Sequence, residues 1–266
     1  MEQGYGPIYG PEGEQFKIYD SAKSWNIPYK LGQELIIGER RWRFARAGAT
    51  ALAAGKVYQS EVPDANFDTL AVPTAAVVGQ RYIDVTLPAN SVAADLWAQG
   101  YAVIEAAAGS GPGRQYKVKT HVGSAGSETL RIYLEAGDGL QTALTTADKV
   151  TMIKSPYADV IIHPAPPTAL VVGVPNAAIP ATDYGWLQVG GPCPVLVVGT
   201  MVIGGGVIAT GTVTGSPDGS AEAAGVGITT TAATIAQITE VFGAFIGRCI
   251  EVAPTTGYGS VWLMLP

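Results

Sequence analysis

The chain has 266 residues with 34 Gly and 18 Pro, so about a fifth of its positions resist helix interiors. Charged residues are only 14% and hydrophobic residues 47%, which excludes a disordered chain and a charge-rich coiled coil. A formal charge of −6 and a pI near 4.9 argue against a general nucleic-acid binder.

The remaining class is an all-β protein, long enough for one or two domains with a buried core. The first ten residues, MEQGYGPIYG, have no basic n-region and no apolar h-region, so they do not read as a secretory leader. Residues 1–32 read as an extended N-terminal arm. Tyr5, Tyr9, Phe16, Tyr19, Trp25 and Tyr29 are interleaved with Gly and Pro at neither a helical nor a strand period. Such a segment builds little core of its own. Its aromatic rings anchor it on another surface, or strap it back onto its own domain.

Next come a strand at 35–37, a tight turn at Gly38–Glu39 and a strand at 41–47. In the second strand Trp42 and Phe44 share one face, and Arg41, Arg43 and Ala45 the other. Four of the 16 basic residues fall between Arg40 and Arg46, a pattern of either a solvated strand face or a contact with an acidic partner. Residues 73–155 read as a self-contained small β-barrel. Strands are expected at 81–87, 101–106, 114–121, 129–134 and 149–153, with glycine-rich turns between them. One short helix is expected at 90–100, capped by Asn90 or Ser91 and stopped by Gly100.

From Pro156 onward the pattern is short apolar strands again. Residues 195–210 are the only stretch resembling a membrane span, but the triplet Gly204–Gly205–Gly206 interrupts it and it is too short, so buried strands are the better reading. Residues 229–242 suit either a short helix or a β-branched strand. Cys193 and Cys249 read as buried free thiols. Together the segments suggest β-sandwich or barrel domains with short helical turns. One discontinuous β domain (33–72 plus 156–266) would carry the small barrel (73–155) as an insertion.

Charge is distributed unevenly. Residues 155–266 carry only Arg248 and six acids (Asp159, Asp183, Asp218, Glu222, Glu240 and Glu251). That is about 6%, against about 25% in an average soluble domain. A β domain so poor in charge leaves apolar surface and strand edges to be covered by copies of itself or by a partner.

Catalytic patterns are missing from the sequence. His121 and His163 have no nucleophile motif near them, and there is no Gly-x-Ser-x-Gly elbow. The glycines of 109–113 lack the following helix that a phosphate loop needs. Glu135 and Asp138 are the nearest pair of acids, and they lie in an apparent hairpin turn where solvation explains them. Two Cys and two distant His show no metal-ligand spacing. No enzymatic activity, cofactor or metal is therefore expected.

Four stretches carry a resemblance: WRFARAGATALAAGK from Trp42, PYADVII from Pro156, YGWLQVGGPCPVL from Tyr184 and YGSVWLML from Tyr258. They are similar to segments of minor structural proteins encoded beside the major capsid protein in tailed bacteriophages. The likeness covers most of residues 35–265. It implies a head decoration or cement role, located on the virion's capsid surface after assembly in the host cytoplasm. It brings no catalytic residues. The long spine helix of the common major capsid fold has no counterpart, which places the chain on a shell rather than as the shell. The expected partners are the major capsid protein and further copies of the chain, as a homotrimer, with no direct nucleic-acid or membrane contact. The expected interface residues are Tyr5, Tyr9, Phe16, Tyr19 and Trp25 of the arm and Arg41 and Arg43 of the basic strand. A rival reading is a carbohydrate-binding adhesive module using Trp97, Tyr101 and Tyr116 as sugar platforms; a tail component is a close structural alternative.

Overall fold

The computed structural model describes residues 6–10, 18–19, 21, 29–105, 113–135, 137, 139–164, 168–198, 201–209, 221–223, 245–252 and 256–266. The expected features at Tyr5, Phe16, Trp25, Asp138 and 229–242 lie outside these residues. The fold is all-β. In chain order the strands are β1 (Ile8–Tyr9), β2 (Glu34–Ile37), β3 (Arg40–Arg46), β4 (Tyr58–Gln59), β5 (Leu70–Ala71), β6 (Tyr82–Thr86), β7 (Tyr101–Glu105), β8 (Arg114–His121) and β9 (Thr129–Leu134). They continue as β10 (Lys149–Ile153), β11 (Ile161–Ile162), β12 (Val171–Pro175), β13 (Tyr184–Val198), β14 (Gly206–Ala209), β15 (Ala221–Ala223), β16 (Phe245–Glu251) and β17 (Thr256–Met264).

The chain divides into two compact units, Met1–Val62 with Pro156–Pro266, and Pro63–Ser155. The inserted unit is a closed barrel in the order β10-β5-β6-β9-β8-β7. Its strands alternate cleanly: Ile83 and Val85, Ala102 and Ile104, Tyr116 and Val118, and Leu130, Ile132 and Leu134 all point inward. The insertion starts ten residues before the expected Pro73. Leu70–Ala71 is the strand that closes the barrel between β10 and β6, and Phe67 meets Trp97 edge to face at 5.0 Å. A closed sheet has no edge to protect, so those ten residues belong to the insertion.

The expected helix at 90–100 does not form. Asp95 and Gln99 take left-handed φ values of 58° and 62°, which a right-handed helix cannot contain. The segment is instead a run of turns, closed by Ala98 N–H donating to the Asp95 carbonyl (3.0 Å) and Gly100 N–H to the Trp97 carbonyl (2.8 Å). Burial of Trp97 in the barrel core decides this. The ring is worth about 3 kcal/mol buried, more than the weak propensity of a three-turn segment.

The first unit is organised by the 15-residue strand β13. Its first half pairs antiparallel with β3, Tyr184 opposite Arg46 through Gln188 opposite Trp42. Aromatic and aliphatic side chains alternate across this sheet. Leu35, Trp42, Phe44, Tyr184 and Trp186 fill one face; Ala45, Ala47, Leu52, Val160 and Leu187 fill the other. At Gln188–Gly190 the register slips. Gly191 takes φ +78°, and a Cβ there would lie 2.5 Å from the Glu39 carbonyl oxygen, so only glycine fits. The Gln188 side chain ties the corner together by donating to the carbonyls of Gly190 (3.0 Å) and Pro192 (2.8 Å).

Beyond this bulge β13 changes partner and pairs with β17, Gly190 opposite Met264 through Val198 opposite Thr256. Pairing runs from β13 through β15, β14, β16 and β17 and returns to β13. Inside this loop of strands lie Cys193, Val195, Val197, Val207, Ile246, Cys249, Val261 and Leu263. The stretch at 195–210 is thus two strands, β13 ending at Val198 and β14 beginning at Gly206. No helix among the described residues is long and apolar enough to cross a membrane.

Candidate interaction surfaces

The barrel's histidine serves the fold. His121 Nε2 accepts from the Trp97 backbone N–H at 3.1 Å, Nδ1 lies 2.9 Å from the Val122 carbonyl, and the ring sits 4.9 Å from the indole. These partners require a neutral ring with the proton on Nδ1, and burial lowers its pKa below the ordinary value. Asp95 faces the same strand and accepts from Thr120 Oγ1 (2.6 Å) and the His121 N–H (3.1 Å). Among the described residues no Ser or Cys side chain joins this network. His163 is fully buried in the other unit, with neither ring nitrogen hydrogen-bonded, and burial pushes its pKa down to about 4. Among the described residues no group of three His, Cys, Asp or Glu side chains could hold a metal.

Two of the three expected sugar-platform residues are buried. Trp97 and Tyr116 are 2% and 4% exposed inside the barrel, Tyr116 because it falls on the inward period of β8 and Trp97 because the turns of 90–100 carry its ring into the barrel core. Tyr101 is half-buried with Lys117 Nζ 4.2 Å from its ring centroid. Trp97 and Tyr116 therefore offer no free stacking face.

The basic strand is tied into its own sheet. Arg41 and Arg43 both reach Glu34 Oε1, at 3.6 and 3.9 Å. Arg41 also donates to the Leu265 carbonyl (3.4 Å) and Arg43 to the Gly32 carbonyl (3.1 Å). Arg46 pairs with Asp159, in the segment whose Tyr157 and Val160 bond the Arg46 backbone. Three of the four arginines in this run therefore already have acidic or carbonyl partners within the unit. Arg40 lies over the Trp42 ring at 5.0 Å. Arg41 keeps 41% of its side chain exposed, the largest open share of the two expected interface arginines.

Of the expected arm residues that are described, Tyr9 is 73% and Tyr19 61% exposed. Other described arm residues turn inward. Ile18 is buried, and Ile8 and Tyr29 pack on the cluster around Leu35, Phe44 and Trp186. Tyr29 meets Phe44 at 5.4 Å and Trp186 at 5.0 Å between ring centroids. The strap-back and the outward rings therefore coexist in one segment.

A surface that individual residues did not single out lies on β17 and β16. Val261 and Leu263 point inward; Tyr258, Trp262 and Met264, on the opposite period, are 59%, 43% and 55% exposed. Trp262 stands between Pro192 on β13 and Arg248 on β16, and Tyr258 stands opposite Leu196. The turn after Met201 docks on β16 through Gly204 N–H to the Cys249 carbonyl (2.8 Å) and Arg248 to the Gly204 carbonyl (3.1 Å). That turn presents Val202 and Ile203, while Ile250 opens outward from β16. A soluble β-strand normally turns polar side chains to water. Here the outward set is aromatic and aliphatic, with Arg248 and Glu251 as its charges. The signal in sequence was the charge deficit of the region, which marks a surface without saying which strand carries it.

The chain matches no protein-family model, no curated protein and no solved structure.

Proposed function

We propose that this chain is a non-catalytic virion structural protein, a decoration or cement protein that associates with itself and with the major capsid protein of a tailed-phage head. The observation that carries this reading is the outward apolar face of Tyr258, Trp262 and Met264, beside Val202, Ile203 and Ile250, in the charge-poor C-terminal part of the chain, residues 155–266. Contiguous apolar surface of this kind marks a protein contact. The resemblance of the four stretches to phage minor structural proteins supplies the class of partner. A lattice multiplies modest contacts through effective concentration, so each copy needs only an interface of ordinary size, about 1,600 Å² in total.

The experiment is co-sedimentation of the purified protein with capsid shells, alongside light scattering of the protein alone. The double variant Trp262→Glu/Met264→Glu places two charges on the outward face and leaves the inward residues alone. We expect it to melt within a few degrees of the parent and to lose shell association or self-association at least tenfold. A parent protein that stays monomeric and fails to bind shells overturns the reading.

A further inference from the structure

We infer that β1 is an exchangeable edge strand, so that Ile8–Tyr9 of one copy completes the sheet of a second copy by pairing with its β2. The inference rests on the self-association in the proposed function, but not on any virion partner.

The sheet runs β1-β2-β3-β13, so β2 would be its open edge without β1. An unpaired edge of Glu34-Leu-Ile-Ile is a template for another chain. What covers it is a strand of only two residues, paired in parallel, Ile8 with Leu35 and Tyr9 with Ile36. Gly10 N–H donates to the Ile36 carbonyl at 3.1 Å, and Gln33 Nε2 donates to the Gly6 carbonyl at 3.3 Å. A parallel neighbour cannot be joined by a tight turn, and the residues from Gly10 to Gln33 form the connection.

Those few bonds are identical whether the strand comes from the same chain or from a second copy, which is the condition for low-cost swapping. Closing the pairing within one chain carries the entropy of a long connection. A neighbouring copy held by the apolar face described above supplies a comparable effective concentration. Ile18 is the natural pivot, because it is buried in the first copy's own aromatic cluster. Ile8 is only partly buried and Tyr9 is 73% exposed, so little packing holds the strand at home. The occupant of the β2 edge is thus the same dipeptide from another copy, with its Ile8 on the second copy's Leu35.

The test uses two full-length single variants, Tyr9→Cys and Ile36→Cys, whose Cα positions are paired across β1 and β2. Neighbouring strand spacing of about 4.8 Å suits a disulfide, and the native Cys193 and Cys249 are buried. The variants are purified separately, mixed and oxidised. Exchange predicts a disulfide-linked pair at least five times more abundant than in a mixture of Ile36→Cys with Val77→Cys, an exposed barrel-loop control. Exchange also predicts interchain products from the double variant Tyr9→Cys/Ile36→Cys. A mixture at control level overturns the inference, whether the double variant closes only within its own chain or does not close at all. Shell binding is scored separately, so crosslinking can succeed where the capsid reading fails, and the reverse.

Discussion

Cys193 and Cys249 both stand opposite Val261, one on each side of β17. Two strand spacings therefore separate them, roughly 9.6 Å. A disulfide needs Cα atoms within about 7 Å, so the two thiols share a core and stay free. Burial raises both, Cys193 to about 12, which leaves almost no thiolate at neutral pH. We expect no reactive thiol in the native protein and two after unfolding in guanidinium, counted with a chromogenic thiol reagent. A reactive thiol in the native state would overturn the burial of that cysteine in the shared core.

Gly191→Ala tests the corner of β13. The new methyl would meet the Glu39 carbonyl oxygen at 2.5 Å in a backbone already at φ +78°. Strain of this kind costs about 1–3 kcal/mol, and movement of Glu39 disturbs the β2–β3 turn as well. Urea denaturation should show a loss of about 2 kcal/mol or more. Gly137→Ala, with no atom within 4 Å of the added carbon, should cost far less.

His163 predicts a stability that falls in mild acid. Its folded pKa is lowered to about 4 from 6.5 by burial, so between these values the unfolded chain binds the proton and the folded chain does not. Stability is then fully present above about pH 6.5 and declines as pH falls toward 4. The total loss is of order 3 kcal/mol. Midpoints of urea unfolding measured from pH 7 to pH 4 should fall less steeply in His163→Leu than in the parent. Equal slopes would remove His163 as the cause.

Trp97→Ala separates core from sugar platform. A buried indole truncated to alanine costs about 3–5 kcal/mol, and Phe67 loses its edge-to-face partner. We expect the barrel to unfold in this variant. A fragment of Pro63–Ser155 should melt cooperatively by itself, because the barrel closes on its own strands and core. A noncooperative fragment would show that the insertion depends on its host unit.

Much of the β pattern could be read locally. Strands β8, β9 and β10 fall on the expected residues, since an alternating run between glycine turns has one stable solution, a half-buried strand. The segment at 90–100 could not be read this way. Its caps and Gly100 satisfy helix rules, yet the barrel's demand for Trp97 and the Asp95 contacts to Thr120 and His121 come from strands more than twenty residues away. The same holds for Tyr116 as a surface candidate: a strand period places a side chain on one of two faces, and only closure of the barrel says which face is inside.

The interaction surface divides along the same line. Composition alone determined that residues 155–266 are short of charge, because that is a count along the chain. Tertiary structure decided which side chains carry the consequence. Once β13 changes partner at the Gln188–Gly191 corner, β17 is held with Val261 and Leu263 inward, which leaves Tyr258, Trp262 and Met264 outward. Strand pairing has a period of two residues, so a register slip of one residue on β17 would have exchanged the two sets. On one side that register is set by nearby β16, but on the other by pairing with β13, some sixty to seventy residues back in sequence and beyond the reach of any local pattern.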